Sequence, residues 1–166
     1  MVPSTILLLL CFQEFRVLTL NDDGTLKQYQ PVGRKRILLA DDHGTIVEEI
    51  RSLLKEEYEV VGAVDNGKIL VEAAQRLDPD LIISDISMPV MTGFEAASRI
   101  RDLGLRAKIM FLTVQSSAAY LKRARSLGAC GYVLKVYSAE QLPIAVSKVL
   151  AGETYFSPQL EQPRQS

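Results

Sequence analysis

The sequence predicts an α/β fold, a parallel sheet covered by helices on both faces. Five short apolar runs alternate with segments whose apolar residues recur at helical spacing, over about 115 residues. The runs are apolar at nearly every position, as in strands buried from both sides, instead of alternating apolar with polar. With 166 residues, 48% of them hydrophobic, the chain can bury one sizeable core and still carry extra length at its ends.

The elements follow in order. Ile37-Leu38-Leu39-Ala40 is short enough for a buried strand and stops abruptly at Asp41-Asp42. Ile46, Val47, Ile50, Leu53 and Leu54 then recur on one helical face. Val60 to Val64 predicts a second strand and Lys68 to Leu77 a second helix, which Asp78-Pro79 breaks. Leu81-Ile82-Ile83 forms the third strand, ending at Ser84-Asp85, and a loop with Pro89 and Gly93 leads into a helix from about Phe94 to Arg101. Ile109 to Leu112 is the fourth strand, ending at Thr113, and Ser117 to Leu127 the next helix. Gly128 and Gly131 bracket the turn into Tyr132-Val133-Leu134, a fifth strand ending at Lys135, and Ala139 to Leu150 closes the series.

The expected domain therefore spans residues 35–152. Residues 153–166 turn polar and are expected to be a tail or a truncated linker. Residues 1–34 are an N-terminal extension of unknown role. Its apolar run, Ile6 to Phe12, is well short of the roughly 18 residues a membrane span needs. A secretory signal places basic residues before the run, whereas the first here, Arg16, follows it. The extension is expected to be an added strand, or a start assigned upstream of the domain. Phe15 to Leu20, the turn Asn21-Asp22-Asp23-Gly24 and Thr25 to Tyr29 have the pattern of a hairpin.

Charge and cysteine usage exclude several function classes. With 19 basic against 20 acidic residues the net charge is -1, so no overall field favours direct nucleic-acid binding. The two cysteines, Cys11 and Cys130, lie far apart without a CxxC pair, which disfavours a disulfide framework and suits a reducing cytoplasm. One histidine, His43, makes a His-based zinc site improbable.

In open parallel sheets ligands bind outside the carboxyl ends of the strands. At those ends stand Asp41-Asp42, Asp85, Thr113 and Lys135, so three carboxylates, a hydroxyl and an ammonium converge on one edge. Two unit charges about 4 Å apart repel by roughly 4 kcal/mol at an effective dielectric of 20, so such a cluster recruits a cation or raises its own pKa values. Carboxylates favour a hard ion, and Mg²⁺ takes one or two of them together with water and phosphate oxygens. Mg²⁺ and Lys135 would balance the three negative charges and leave Asp85 ionised and nucleophilic, able to accept a phosphoryl group. Lys135 would neutralise charge on the phosphoryl oxygens and the Thr113 hydroxyl would donate to one of them.

Four segments carry a resemblance: Leu38-Leu39-Ala40-Asp41-Asp42-His43, Asp85 through Gly93, Phe111-Leu112-Thr113, and Gly128 through Lys135. Together and in this order they resemble a bacterial response regulator receiver domain, and the match runs over about Arg36 to Leu150. The ADDH opening, GYVLK without a following proline, and Gly152 to Pro158 are similar to the NarL/FixJ subgroup, here without a DNA-binding output domain. The resemblance implies a doubly wound, flavodoxin-like sheet of five parallel strands in order 2-1-3-4-5 with five helices. It implies two-component signalling, with Asp85 phosphorylated by a sensor histidine kinase in a Mg²⁺-dependent reaction. Asp42, Asp85 and the Ser87 carbonyl would bind the ion directly, and Asp41 directly or through water. Thr113 and Tyr132 would form the switch pair, with Lys135 on a phosphate oxygen. A protein-binding face, usually the fourth helix, fifth strand and fifth helix, would be switched. Self-association as a homodimer and an output in transcription regulation through an effector domain are further expectations, in a cytoplasmic protein with no membrane partner.

Each residue also has a plainer role. Asp41-Asp42 could merely cap the next helix, Tyr132 could be strand packing, His43 a helix-start residue, and Lys122, Arg123 and Arg125 a solvated basic face. Thr113 is informative only in company. Val114 stands where the family often has a smaller residue and is expected to narrow access to the phosphoryl site. The competing class is an enzyme such as a phosphatase with an aspartyl nucleophile. Those enzymes carry a general acid two residues after the nucleophile, where this chain has Ser87, so a switch and not a turnover enzyme is expected.

Overall fold

The computed structural model describes residues 17–20, 26–29 and 33–160. The apolar run from Ile6 to Phe12, the turn Asn21 to Gly24 and residues 161–166 lie outside the described residues. The chain divides into two compact units, Met1–Arg34 and Lys35–Ser166. In the first, strand β1 (Val17–Leu20) pairs antiparallel with β2 (Leu26–Tyr29), Val17 opposite Tyr29 and Leu20 opposite Leu26.

The second unit is a six-stranded sheet in the order β4-β3-β5-β6-β7-β8. Its strands are β3 (Arg36–Ala40), β4 (Glu59–Val64), β5 (Leu81–Ser84), β6 (Lys108–Thr113), β7 (Gly131–Leu134) and β8 (Tyr155–Phe156), and every neighbouring pair is parallel. Helices α1 (Gly44–Leu54), α2 (Gly67–Leu77), α3 (Gly93–Asp102), α4 (Ala118–Ser126) and α5 (Ser138–Leu150) fill the connections. Counted within this unit, the strands run 2-1-3-4-5-6, the expected five-strand order with one strand added at an edge.

Period-two geometry explains the uninterrupted apolar strands, because alternate side chains serve two cores. On one face Leu38, Ile82, Phe111 and Tyr132 pack with Leu70, Phe94, Ile100 and Leu121 from α2, α3 and α4. On the other, Ile37, Leu39, Ile83, Met110 and Val133 pack with Ile50 and Leu54 of α1 and Leu142, Val146 and Val149 of α5. The sheet is thus wound on both faces. Its outer strand β4 is only partly covered, and Glu59 there is exposed.

Local chemistry sets the helix starts near the carboxyl edge. Thr92 and Glu95 form a capping box on α3, with Thr92 N–H donating to Glu95 Oε2 at 2.8 Å and Glu95 N–H to Thr92 Oγ1 at 3.3 Å. Asn66 caps α2 by accepting from Ile69 N–H at 3.0 Å. Gly93 is required by close approach: its N–H donates to Ile86 O at 2.9 Å, and a Cβ there would run into the Asp85 carbonyl oxygen.

The C-terminal segment departs from the expected tail. Tyr155–Phe156 pairs with β7 as a sixth strand, and Pro158–Leu160 forms a 3-10 turn whose Leu160 packs against the core. Two residues are too few to show a period, so the aromatic pair alone marks the strand. Among the described residues no helix is long and apolar enough to cross a membrane.

Candidate functional site

The carboxyl ends of β3, β5, β6 and β7 meet at one rim of the sheet. Backbone hydrogen bonds carry the strand order through to the site residues: Asp41 N–H donates to Val64 O at 3.0 Å and Asp85 N–H to Ala40 O at 2.8 Å. Asp41 and Asp85 are buried, with 5% and 4% exposure, while Asp42 is open to solvent. The Lys135 ammonium bridges the two buried carboxylates, 2.6 Å from Asp41 Oδ2 and 2.9 Å from Asp85 Oδ2. Asp85 Oδ1 accepts from Ile86 N–H at 2.6 Å. Residues far apart in sequence, Asp41, Asp42, Asp85 and Lys135, are therefore neighbours in space.

Thr113 is fully buried at the end of β6, its Oγ1 accepting from Gln115 N–H at 3.3 Å. Tyr132 is fully buried in β7, directly opposite Phe111, and its hydroxyl donates to Gln115 O at 2.7 Å. Gln115 Nε2 reaches Ser87 Oγ at 3.4 Å across the mouth of the site. Gln115 was not legible as a site residue. It works through its backbone N–H and C=O, which any residue type carries, and only its position two past a strand-end threonine marks it. Val114 is exposed and lines, with Lys135, Val136 and Tyr137, a cleft of about 330 Å³.

His43, expected as a helix-start residue, stands at the N-cap of α1 but makes no side-chain cap. Its backbone N–H donates to Asp41 Oδ1 at 2.9 Å and its Nδ1 lies 3.1 Å from Asp41 Oδ1 and 2.9 Å from Asp42 Oδ1. The N-cap position falls to His43 and not to either aspartate; Asp41 receives the His43 N–H on one oxygen and the Lys135 ammonium on the other.

The electrostatics follow from burial and pairing. Burial works against the charged form of Lys135, but its hydrogen bonds to Asp41 and Asp85 and their negative charges outweigh that, so its pKa lies above the ordinary lysine value. The Tyr132 phenol is pushed up by burial first, then by Tyr120 and Asp85, and stays a neutral donor.

A divalent cation fits this donor set. Ligand atoms of Asp41, Asp42, His43 and Asp85 all lie within 4.8 Å of one another. Three carboxylates against one ammonium leave two formal negative charges, and two of the carboxylates are buried where that charge is costly. Carboxylate oxygens dominate the set, as hard cations require.

Comparison with known proteins agrees with this geometry. The family model of the response regulator receiver domain matches residues 37–147. The chain is 34% identical over 122 residues to the Bordetella pertussis virulence-factors transcription regulator BvgA, covering 73% of this chain and 58% of that protein. It is 35% identical over 118 residues to the chemotaxis protein CheY of Halobacterium salinarum, covering 71% of this chain and 98% of that one. The fold superposes with a TM-score of 0.70 on the signal receiver domain of the response regulator NarL from Mycobacterium tuberculosis, at 26% identity, over 73% of this chain and 99% of that domain. Against regulators such as BvgA the chain spans somewhat under three fifths of their length. By its sequence match, its wound parallel sheet and its acidic rim, this chain belongs to the response regulator receiver domain family.

Proposed function

We propose that the chain is a phosphorylation switch of two-component signalling in which Asp85 is the phosphoacceptor. The observation that carries this is the placement of Asp85: buried, ionically paired to Lys135 at 2.9 Å, and beside Asp41 and Asp42 at the carboxyl rim. A carboxylate oxygen of Asp85 attacks phosphorus. The bond from phosphorus to the donor breaks, and its electron pair leaves with the donor, a phosphohistidine nitrogen of a sensor histidine kinase or the acyl oxygen of acetyl phosphate. Asp41, Asp42 and Asp85, with the Ser87 carbonyl, are the residues that would hold Mg²⁺, which when bound supplies positive charge against the repulsion between carboxylate and phosphoryl oxygens. Lys135 is already within reach of the same carboxylate and transfers its hydrogen bond to a phosphoryl oxygen. Ser87 in place of a general acid leaves the chain without a turnover route of the phosphatase kind.

Thr113 and Tyr132 form the switch pair, and Gln115 links them. Thr113 Oγ1 takes the Gln115 N–H while Tyr132 O–H holds the Gln115 carbonyl. When the Thr113 hydroxyl turns to the phosphoryl group, the Gln115 backbone loses one anchor, and the change passes to Tyr132 and the α4–β7–α5 surface. That surface is the protein-binding face, for an output partner or a second copy in a homodimer. Relatives named as transcription regulators, and longer than this chain, favour a DNA-binding effector as the controlled output.

Incubation with Mg²⁺ and acetyl phosphate, followed by intact mass, tests the assignment. One added phosphoryl group is expected on the parent chain and none on Asp85→Asn. An unmodified parent chain, or an Asp85→Asn chain that still gains the group, removes Asp85 from the role.

A further inference from the structure

The segment that follows α5 carries Ser157 to the outer edge of β7, one residue before Lys135. β6 accompanies β7 along its whole length, with Thr113 opposite Leu134, whereas β8 pairs only with Gly131 and Tyr132. Beyond Tyr132 the outer edge of β7 presents the Leu134 N–H, which needs an acceptor. A continuing strand would offer a backbone carbonyl. Here Pro158 turns the chain away into its 3-10 turn, and the side chain of Ser157 stands in for that carbonyl.

Ser157 is fully buried. Its N–H donates to Tyr132 O at 2.8 Å, and its Oγ accepts from Leu134 N–H at 3.1 Å. The same hydroxyl donates to Gln141 Oε1 of α5 at 2.6 Å, and Gln141 Nε2 donates to Gln159 Oε1 at 3.0 Å. The hydroxyl therefore uses its donor and an acceptor site at once, in a relay that runs from strand to tail to helix. Lys135 opens a turn of 3-10 helix, Lys135–Tyr137, so the clamp sits at the point where the extended strand gives way. Holding the backbone origin of a long, flexible lysine stem narrows the positions open to its ammonium, which here lies 2.6 and 2.9 Å from two carboxylates.

We infer that Ser157, supported by Gln141, is a positioning residue for Lys135, acting through the Leu134 N–H of the Val133–Leu134 peptide, one residue before the lysine, to set the ammonium on Asp85. The inference rests on the reading of Asp85 as phosphoacceptor for its kinetic consequence, and on geometry alone for the position of Lys135.

The test is a double-mutant cycle in the full chain, reading the rate of phosphorylation by acetyl phosphate at saturating Mg²⁺. Ser157→Ala is expected to slow the parent about tenfold, since small misplacements of a group that orients the reaction are costly. In a Lys135→Ala background the same substitution is expected to change the rate by less than about twofold, because the group it positions is gone. Ser157→Thr, which keeps the hydroxyl, restores the parent rate. Equal slowing in both backgrounds is what a merely structural serine would give and overturns the inference, as does a folded Ser157→Ala chain of parent rate. If Ser157→Ala does not fold, Gln141→Met carries the same cycle by removing the acceptor of the hydroxyl.

A second readout needs no phosphoryl donor. In chain labelled with ¹⁵N-lysine, the Lys135 Nζ resonance is expected to shift in Ser157→Ala and to return in Ser157→Thr. An unmoved resonance overturns the inference. A parent chain that takes up no phosphoryl group while the resonance still responds would defeat the phosphoacceptor reading and leave the clamp standing.

Discussion

Val90 shows how much a single residue can hide. It stands in the loop after β5 with φ of 67°, in the left-handed region, and is 81% exposed. A β-branched side chain is a poor occupant of that region, where Asn is tolerated far better. Val90→Asn is therefore expected to stabilise the fold by about 1 kcal/mol, read as a higher urea midpoint at unchanged slope. No sequence pattern announces a left-handed valine, because the conformation is imposed by the loop that brings Gly93 against Ile86. The placement of Asp41, Asp42, Asp85, Thr113 and Lys135, by contrast, was legible. Each ends an apolar run with a polar group, and the strands of a parallel sheet all deliver their ends to one rim. Gln115 escaped because backbone groups do its work, and Ser157 because its stretch marked only the subgroup and gave no sign of what a buried hydroxyl would bind.

At the scale of elements, Asp80 ties the amino end of the sheet together, opposite the acidic rim. Its Oδ2 accepts from Arg36 N–H at 2.8 Å, its Oδ1 from Lys35 Nζ at 2.9 Å, and its backbone joins Arg36 O and Lys108 N–H. Burial opposes the Asp80 charge, but the Arg36 N–H and the Lys35 ammonium more than offset it, so its pKa is lowered. A carboxylate whose folded pKa is depressed stabilises the fold above its unfolded value of about 3.9, and that contribution is lost as pH falls through the lower folded value. At pH 7 Asp80→Asn is expected to unfold at lower urea than the parent, with the gap closing as pH drops below about 3.9. A constant gap across that range would show that the charge is not what Asp80 contributes. The five helices and the strands β3 to β7 were readable as segments of helical spacing alternating with short apolar runs. β8 was not, since a two-residue strand takes its conformation from β7 and not from its own sequence.

At the scale of the whole molecule, charge is arranged against folding. Three carboxylates gathered at one rim, two of them buried, repel one another in the folded chain and separate in the unfolded one. A cation bound only by the folded state recovers this loss. Mg²⁺ at a hundred times its dissociation constant is expected to raise stability by about 2.7 kcal/mol, seen as a higher thermal midpoint that EDTA reverses. In Asp85→Asn both the response to Mg²⁺ and the instability without it are expected to shrink. A thermal midpoint indifferent to Mg²⁺ in the parent would mean that the rim does not hold the ion. The doubly wound architecture itself was legible because two cores on one sheet demand apolar residues at every strand position, a pattern that a one-sided sheet cannot produce.

The short sixth strand decides where this domain can be cut. A recombinant version stopping at Gly152, where the polar composition invites a boundary, would leave the outer side of β7 bare and strip the Tyr132 carbonyl and the Leu134 N–H of their partners. Open strand edges recruit other strands, so such a fragment is a template for pairing with its own copies. A boundary that keeps this packing therefore lies no earlier than Leu160, well past the point where the helices end.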